Sequence, residues 1–267
     1  MPPFPPGTRW VGGEPAAVER VCARGPLLVH FLDFAQLNSV RALPYLRAWQ
    51  ERYEALGLTM LGVNSPRYPF TADPAALASG LARLEVAHPV ASDASYEIWR
   101  AYGCQVWPSL FLWGQGGALR WYHFGEGEYR STEAAIQAEL RAAGVDGELP
   151  EPLEPLRPSD APGALVAAPS EEVFPGGSAD EPWTGEASGA PLELGYEAAG
   201  AFASLDGEGT LQVSLDGGGP RAIAIDAPGL YPLAEHPAHE RHRIALRPSP
   251  GVRVWSVSFA AGIPGSR

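Results

Sequence analysis

The sequence predicts an α/β domain followed by an all-β domain, and three observations divide the chain this way. In the first half, short apolar runs alternate with stretches whose apolar residues recur every three or four positions. Residues 144–163 then break both periods, with prolines at 150, 152, 155, 158 and 162 set among acidic residues. Beyond them the apolar spacing falls to two.

Each element has a local reason. Residues 27–34, LLVHFLDF, are too short and too uniformly apolar for a surface helix and predict a buried strand. Leu43, Leu46, Trp49, Tyr53 and Leu56 define one apolar helix face, with Pro44 just inside that helix. Leu58–Val63 predicts a second strand. Asp73 and Pro74 supply an N-cap and a proline at the first helical position, opening a helix to about Leu84. Ser109–Trp113 and Leu119–Phe124 predict strands paired around Gly116 and Gly117, and Ile136, Leu140 and Ala143 give the inner face of a last helix. Past the proline-rich stretch, Leu192/Leu194/Tyr196, Leu211/Val213/Leu215, Ile223/Ile225 and Trp255/Val257/Phe259 alternate with polar or small residues. Turn clusters at Asp206-Gly207, 216–220 and 248–251 separate them, predicting an antiparallel sandwich or jelly roll. The expected division is a domain over 1–146, a linker over 147–165 and a β-sandwich over 166–267.

Composition excludes several functions. The net charge of −12 over 267 residues makes a nucleic-acid backbone an unfavourable partner. All 19 basic residues are arginine, which removes Schiff-base lysine chemistry and a P-loop. The only cysteines, Cys22 and Cys104, have neither redox Cys-x-x-Cys nor zinc-site spacing, and suit isolated thiols in a reducing compartment. The opening MPPFPPGTRW has no basic or apolar leader pattern, and no apolar run approaches the ~20 residues of a membrane span. The expectation is a soluble cytoplasmic protein.

Several strings carry a resemblance: RALPYLRAW (41–49), GVNSPRYPF (62–70), HPVASD (88–93), AYGCQVWP (101–108) and HFGEGEY (123–129). Together they resemble the thioredoxin-like domain of DipZ-type disulfide-exchange proteins, relatives of the TlpA/ResA thioredoxins. The resemblance implies a thioredoxin fold in the first half. In active relatives a Cys-x-x-Cys turn follows the first buried strand, with a proline five residues after the second cysteine. Here Gln36 and Ser39 stand at the cysteine positions, and Pro44 lies five residues past Ser39. His30 replaces the buried aspartate six residues before the first cysteine, and Pro108 takes the place of the cis-proline facing the turn. The family often carries a β-sandwich resembling a carbohydrate-binding module after this domain, and it normally works outside the cytoplasm.

The residues at the turn cannot perform dithiol exchange. That reaction needs a low-pKa thiolate at a helix N-terminus and a second thiol to resolve the mixed disulfide. Gln36 has no ionisable group, and the Ser39 hydroxyl needs a dedicated base. Ser39, His30 and Asp33 include the residue types of a hydrolytic triad, but no Gly-x-Ser-x-Gly turn is present, and Asn38 or Ser39 as a helix N-cap accounts for them more simply. His30 itself reads as a hydrogen-bonded core histidine. The leading expectation is a binding role in which Gln36, Leu37, Asn38, Ser39, Trp107, Pro108 and Glu126 line a groove for a peptide or protein segment, enlarged by Trp107 and Trp113. A second is a redoxin acting through Cys104, alone or with Cys22. A third is a carbohydrate-binding protein with Trp183, or less simply Trp255, as a stacking platform. Glu126 and Glu128 suit capping and loop shape better than acid–base work. His236, His239 and His242, near Glu235 and Glu240, read as a polar loop rather than a metal site. No cofactor or metal is expected.

Overall fold

The computed structural model describes the chain apart from residues 14, 16, 17, 186–188 and 266–267. It divides into two compact units, Met1–Pro66 with Ala72–Glu154, and Arg67–Thr71 with Pro155–Arg267. Among the described residues no helix is long and apolar enough to cross a membrane.

The first unit is a thioredoxin fold. Strands β1 (Arg9–Val11), β2 (Leu27–Leu32), β3 (Thr59–Asn64), β4 (Val90–Ser92), β5 (Ser109–Trp113) and β6 (Leu119–Phe124) form one sheet in the order β1–β4–β3–β2–β5–β6. β2, β3 and β4 run parallel, while β1, β5 and β6 pair antiparallel. The helices are α1 (Val18–Arg24), α2 (Leu37–Tyr53), α3 (Pro74–Arg83), α4 (Glu97–Tyr102) and α5 (Tyr129–Ala142).

Every residue of β2 is buried, as its unbroken apolar run requires for a central strand covered on both faces. Leu27, Val29 and Phe31 pack with Leu61, Val63, Ile98, Tyr102 and Phe111 on one face. Leu28, His30 and Leu32 alternate to the other. Asp73 caps α3 as its sequence signal predicts, its Oδ1 accepting from the Ala75 and Ala76 amides at 3.0 and 2.8 Å. Pro44 lies inside α2, where it leaves the Val40 carbonyl without its helical donor. Gly80 on α3 lets the Phe34 ring close in, since a Cβ there would stand 2.3 Å from Cδ2.

Glu133 of α5 is buried and fastens the end of the unit. Its carboxylate accepts from the Tyr53 hydroxyl at 2.7 Å, from Arg52 at 2.9 Å and from the Leu153 amide at 2.8 Å. Gln137 donates to the Pro150 carbonyl at 2.7 Å. The chain through Glu154 is thus bonded to α2 and α5, and the division between units falls inside the proline-rich stretch.

The second unit is all-β. Strands β7 (Leu192–Asp206), β8 (Gly209–Leu215), β9 (Arg221–Ile225), β10 (Gly229–Pro248) and β11 (Arg253–Ala260) pair antiparallel in the order β11–β7–β10–β8–β9. The two longest strands change register midway. Residues 192–198 of β7 face 240–246 of β10, and residues 200–205 face 229–235. Both halves feed one apolar cluster, from Tyr196 and Ile244 to Leu205, Val254 and Phe259. On the opposite face, the Tyr68 hydroxyl is hydrogen-bonded to Ser256 Oγ at 2.8 Å and donates to Glu172 at 2.9 Å, and Ser258 donates to the same Glu172 oxygen at 2.9 Å.

β10 corrects the sequence reading. His236, His239 and His242 lie on this strand rather than in a polar loop. Its register shifts fall between Pro232 and Ala234 and between Glu235 and Glu240, the latter spanning Pro237. Prolines cannot donate to a ladder, so they disguise a strand that in fact bends around them.

Candidate functional site

The register of β2 assembles the site. Phe31 pairs with Ser109 of β5, and Leu32 with Asn64 of β3. Ser109 pairs in turn with Phe124 of β6. The turn leaving β2, the loop after β3, the loop entering β5 and the turn after β6 therefore meet at one end of the sheet. Two hydrogen bonds stitch them: Ser65 N to Leu32 O at 3.0 Å, and Gly125 N to Pro108 O at 2.8 Å. This end collects Gln36, Leu37, Asn38, Ser39, Trp107, Pro108 and Glu126.

Side-chain hydrogen bonds hold the turn where a dithiol would stand. Gln36 is the N-cap of α2, and its Oε1 accepts from the Ser39 amide at 2.8 Å. This role was expected of Asn38 or Ser39; both instead lie inside the first helical turn. Ser39 is 1% exposed, and its Oγ lies 3.2 Å from the Asp33 amide, which donates to it. Asp33 Oδ1 accepts from the Ala35 amide at 2.7 Å, closing the turn. Leu37 is buried, while Gln36 and Asn38 are half-buried.

The opposing loop is equally packed. The Trp107–Pro108 peptide is cis. Trp107 is half-buried, lies 4.5 Å from Trp99 between ring centroids, and donates from Nε1 to the Ser65 carbonyl at 2.9 Å. Val106 beside it is 41% exposed. Trp113 pairs with Leu27, at the opposite end of β5 from Pro108, so it does not widen a groove at the site.

The HFGEGEY string clamps α2. Arg41 Nε donates to Glu126 at 2.7 Å, and the Tyr129 ring stacks on Tyr45 at 3.7 Å. Glu128 precedes α5 in the left-handed region at φ 50 and accepts from the Ser131 hydroxyl at 2.6 Å. Both carboxylates are engaged in positioning, which matches loop shape rather than acid–base work.

Cys104 does not behave as an exposed redox thiol. It is buried in the apolar cluster that also holds Cys22, Phe31 and Tyr102, and burial pushes its thiol up to about 12. Neither cysteine is in a disulfide.

Beneath the turn lies a buried histidine pair. His30 Nε2 and His88 Nε2 are 2.5 Å apart, and His88 Nδ1 is 3.0 Å from Gln50 Oε1. With the Gln50 oxygen as acceptor, His88 Nδ1 carries its proton, and His88 Nε2 accepts from His30. His30 Nδ1 is left as a buried lone pair with no hydrogen-bond partner. Gly62, opposite His30 in the ladder, makes room for the ring: a Cβ there would lie 3.1 Å from His30 Nε2. His30 was thus expected to be a satisfied core histidine, and only one of its nitrogens is satisfied. Burial drives its pKa well below the ordinary value, helped by His88, and burial takes His88 down to about 4.

In the second unit, Trp183 packs against the apolar cluster and exchanges backbone hydrogen bonds with Val254 at 2.8 and 2.9 Å. Trp255 is 5% exposed and donates to Asp206 at 2.8 Å. His236 and His242 stack at 3.6 Å. No group of three or more histidine, cysteine or acidic residues that could hold a metal exists among the described residues.

Two outcomes follow. Both histidines are neutral in the folded chain and titrate near 6.5 when unfolded, so the unfolded state binds more protons below that pH. Stability is full above pH ~6.5 and falls toward pH 4, by on the order of 3 kcal/mol from His88 alone. Urea unfolding at pH 7 and 4.5 measures this, and His30→Leu/His88→Leu should flatten the dependence. Second, Cys104 should resist alkylation in the folded chain at pH 8, where a thiol at about 12 is roughly 10⁻⁴ ionised, and should react fast only after denaturation.

No protein-family model matches the chain. Protein DipZ of Mycobacterium tuberculosis and of Mycobacterium bovis is 28% identical over 268 aligned residues, which span 87% of this chain. The match spans 38% of the length of those relatives. NHL repeat-containing protein 2 of Bos taurus is 29% identical over 129 residues, 48% of this chain and 18% of that protein. Among solved structures, a thioredoxin-like protein in the oxidized form is 21% identical with a TM-score of 0.46, covering 52% of this chain and 95% of that one. The first unit, a thioredoxin fold by its strand order, is thus similar in sequence to part of the DipZ proteins.

Proposed function

We propose that the first unit is a redoxin domain that has given up dithiol exchange and uses the former active-site end of its sheet to hold a peptide or protein segment. The observation that carries the first part is the Gln36–Ser39 cap: both side chains at the cysteine positions are tied into the turn at 2.8 and 3.2 Å, and neither offers a nucleophile. The raised Cys104 thiol weighs against a one-cysteine redoxin. The binding part is favoured by the meeting of four loops at one sheet end and by Val106, an apolar side chain 41% exposed next to Pro108. Backbone groups in such a place recognise an extended chain without sulfur. Neither cysteine is in a disulfide, which fits work in a reducing compartment, the cytoplasm, and the net charge of −12 disfavours a nucleic-acid partner.

Two experiments test the two parts. The native chain should show no turnover in insulin-disulfide reduction, while Gln36→Cys/Ser39→Cys should form a reversible disulfide and gain measurable reductase activity. Native turnover above the dithiothreitol background would sink the non-catalytic reading. On an immobilised library of extended peptides, the native chain should retain a subset, and Val106→Glu should weaken retention by at least ~10-fold, as burying an unpaired charge demands. Retention of no peptide, or equal retention by the variant, would remove the groove.

A further inference from the structure

The sheet of the first unit ends at β6, which has β5 on one side and no strand on the other. The ladder to β5 fixes which of its backbone groups point outward. Gly125 donates its amide to the Pro108 carbonyl at 2.8 Å. Before it, Phe124 lies opposite Ser109, His123 opposite Leu110, Tyr122 opposite Phe111 and Trp121 opposite Leu112. Strand alternation then turns the amides and carbonyls of Trp121 and His123 toward β5, and those of Tyr122 and Phe124 toward the open side.

Open edges are ordinarily guarded by shortness, by charge or by a covering segment. β1 has three residues, and the outer side of β11 takes backbone hydrogen bonds from Val173 and Trp183. β9 exposes one arginine and two alanines, Arg221, Ala222 and Ala224. β6 is different. Its register to β5 shifts at the Leu112/Trp113 step, beside Arg120, but residues 121–124 continue without a charge or a proline. Tyr122 is 57% exposed, and its ring lies 5.5 Å from that of Phe124 on one side of the sheet. Trp121 turns to the other side, where its Nε1 donates to Thr132 of α5 at 3.2 Å.

We propose that β6 pairs with β6 of a second copy of this chain, antiparallel about a two-fold axis at His123. In this register Tyr122 of each copy faces Phe124 of the other, so the outward amides and carbonyls of both residues find partners. The same two residues form an aromatic pair on each side of the axis. Charge favours this direction as well. Arg120 stands at the start of the strand, and Glu126 and Glu128 follow its end. Antiparallel pairing sets the basic start of each strand beside the acidic turn of the other, whereas parallel pairing would set like beside like. A foreign extended chain could reach the same backbone groups. A second copy brings, in addition, aromatic side chains and both signs of charge in matching places. No atom of Gln36, Ser39 or Val106 takes part, so the seam stands independently of the peptide groove.

Sedimentation velocity of the full chain tests the proposal, at ~0.5 M salt so that two chains of net charge −12 are screened from one another. A reversible dimer should appear, its fraction rising with concentration. Tyr122→Lys puts a guard charge on an exposed position of the seam. It should raise the dissociation constant by ~10-fold or more with unchanged thermal unfolding, while Val106→Glu should leave association as it is. His123→Cys places two thiols at the axis, with Cα atoms about 4.5 Å apart, within the reach of a disulfide. Mild oxidation should convert this variant to a covalent dimer that dithiothreitol releases, and the native chain, with Cys22 and Cys104 buried, should not cross-link. A chain monomeric at every concentration, equal association of the Tyr122 variant, or a His123 variant that does not cross-link, overturns the proposal.

Discussion

The site rests on how β2 is held. A strand buried on both faces must satisfy every backbone group through its neighbours, and β2 does so with β3 on one side and β5 on the other. Those two registers leave no freedom in where the flanking loops emerge. A one-residue slip would turn Leu27, Val29 and Phe31 out of their cluster and bring His30 into it. The positions of Gln36 and Pro108, far apart in sequence, are therefore consequences of apolar burial below them. This pairing involves backbone groups and apolar side chains alone, so it does not depend on which residues stand in the turn above it.

The replacement residues serve the same local need in a different way. The start of α2 leaves backbone amides without helical partners, and a thiolate would be stabilised there. In this chain a neutral amide oxygen from Gln36 takes the Ser39 amide, and Ser39 in turn accepts from Asp33. Helix-start polarity that could activate a nucleophile is consumed in closing the turn. Arg41–Glu126 and the Tyr45–Tyr129 stack then fix the helix against the turn after β6, so the HFGEGEY string works by positioning α2.

Much of this was legible in the sequence, and the rest was hidden for identifiable reasons. The β2 run, the Asp73-Pro74 cap and the hairpin at Gly116-Gly117 are local signals, and local signals survive reading without coordinates. Gln36 was missed as the cap because glutamine is a poor member of the capping set, and Asn38 and Ser39 nearby are better ones. The His30–His88 pair joins residues 58 apart, and nothing local in HPVASD announces a partner. Trp113 is five residues from Pro108 in sequence, yet a strand carries it to the far end of the sheet. β10 was concealed by its own prolines.

The histidine pair ties the two kinds of change together. A buried carboxylate in the thioredoxin fold has a use when a dithiol above it exchanges protons; without that dithiol it is a charge-capable group with only a desolvation penalty. Imidazole avoids the penalty by staying neutral over the physiological range, and burial moves both rings in that direction. The arrangement still costs something, since His30 Nδ1 has no partner. One unpaired lone pair is nonetheless a smaller burden than an uncompensated carboxylate. Residues 30, 36 and 39 thus share one physical feature: His30 keeps the core beneath the turn neutral, and Gln36 and Ser39 spend their polar atoms on closing the turn above it.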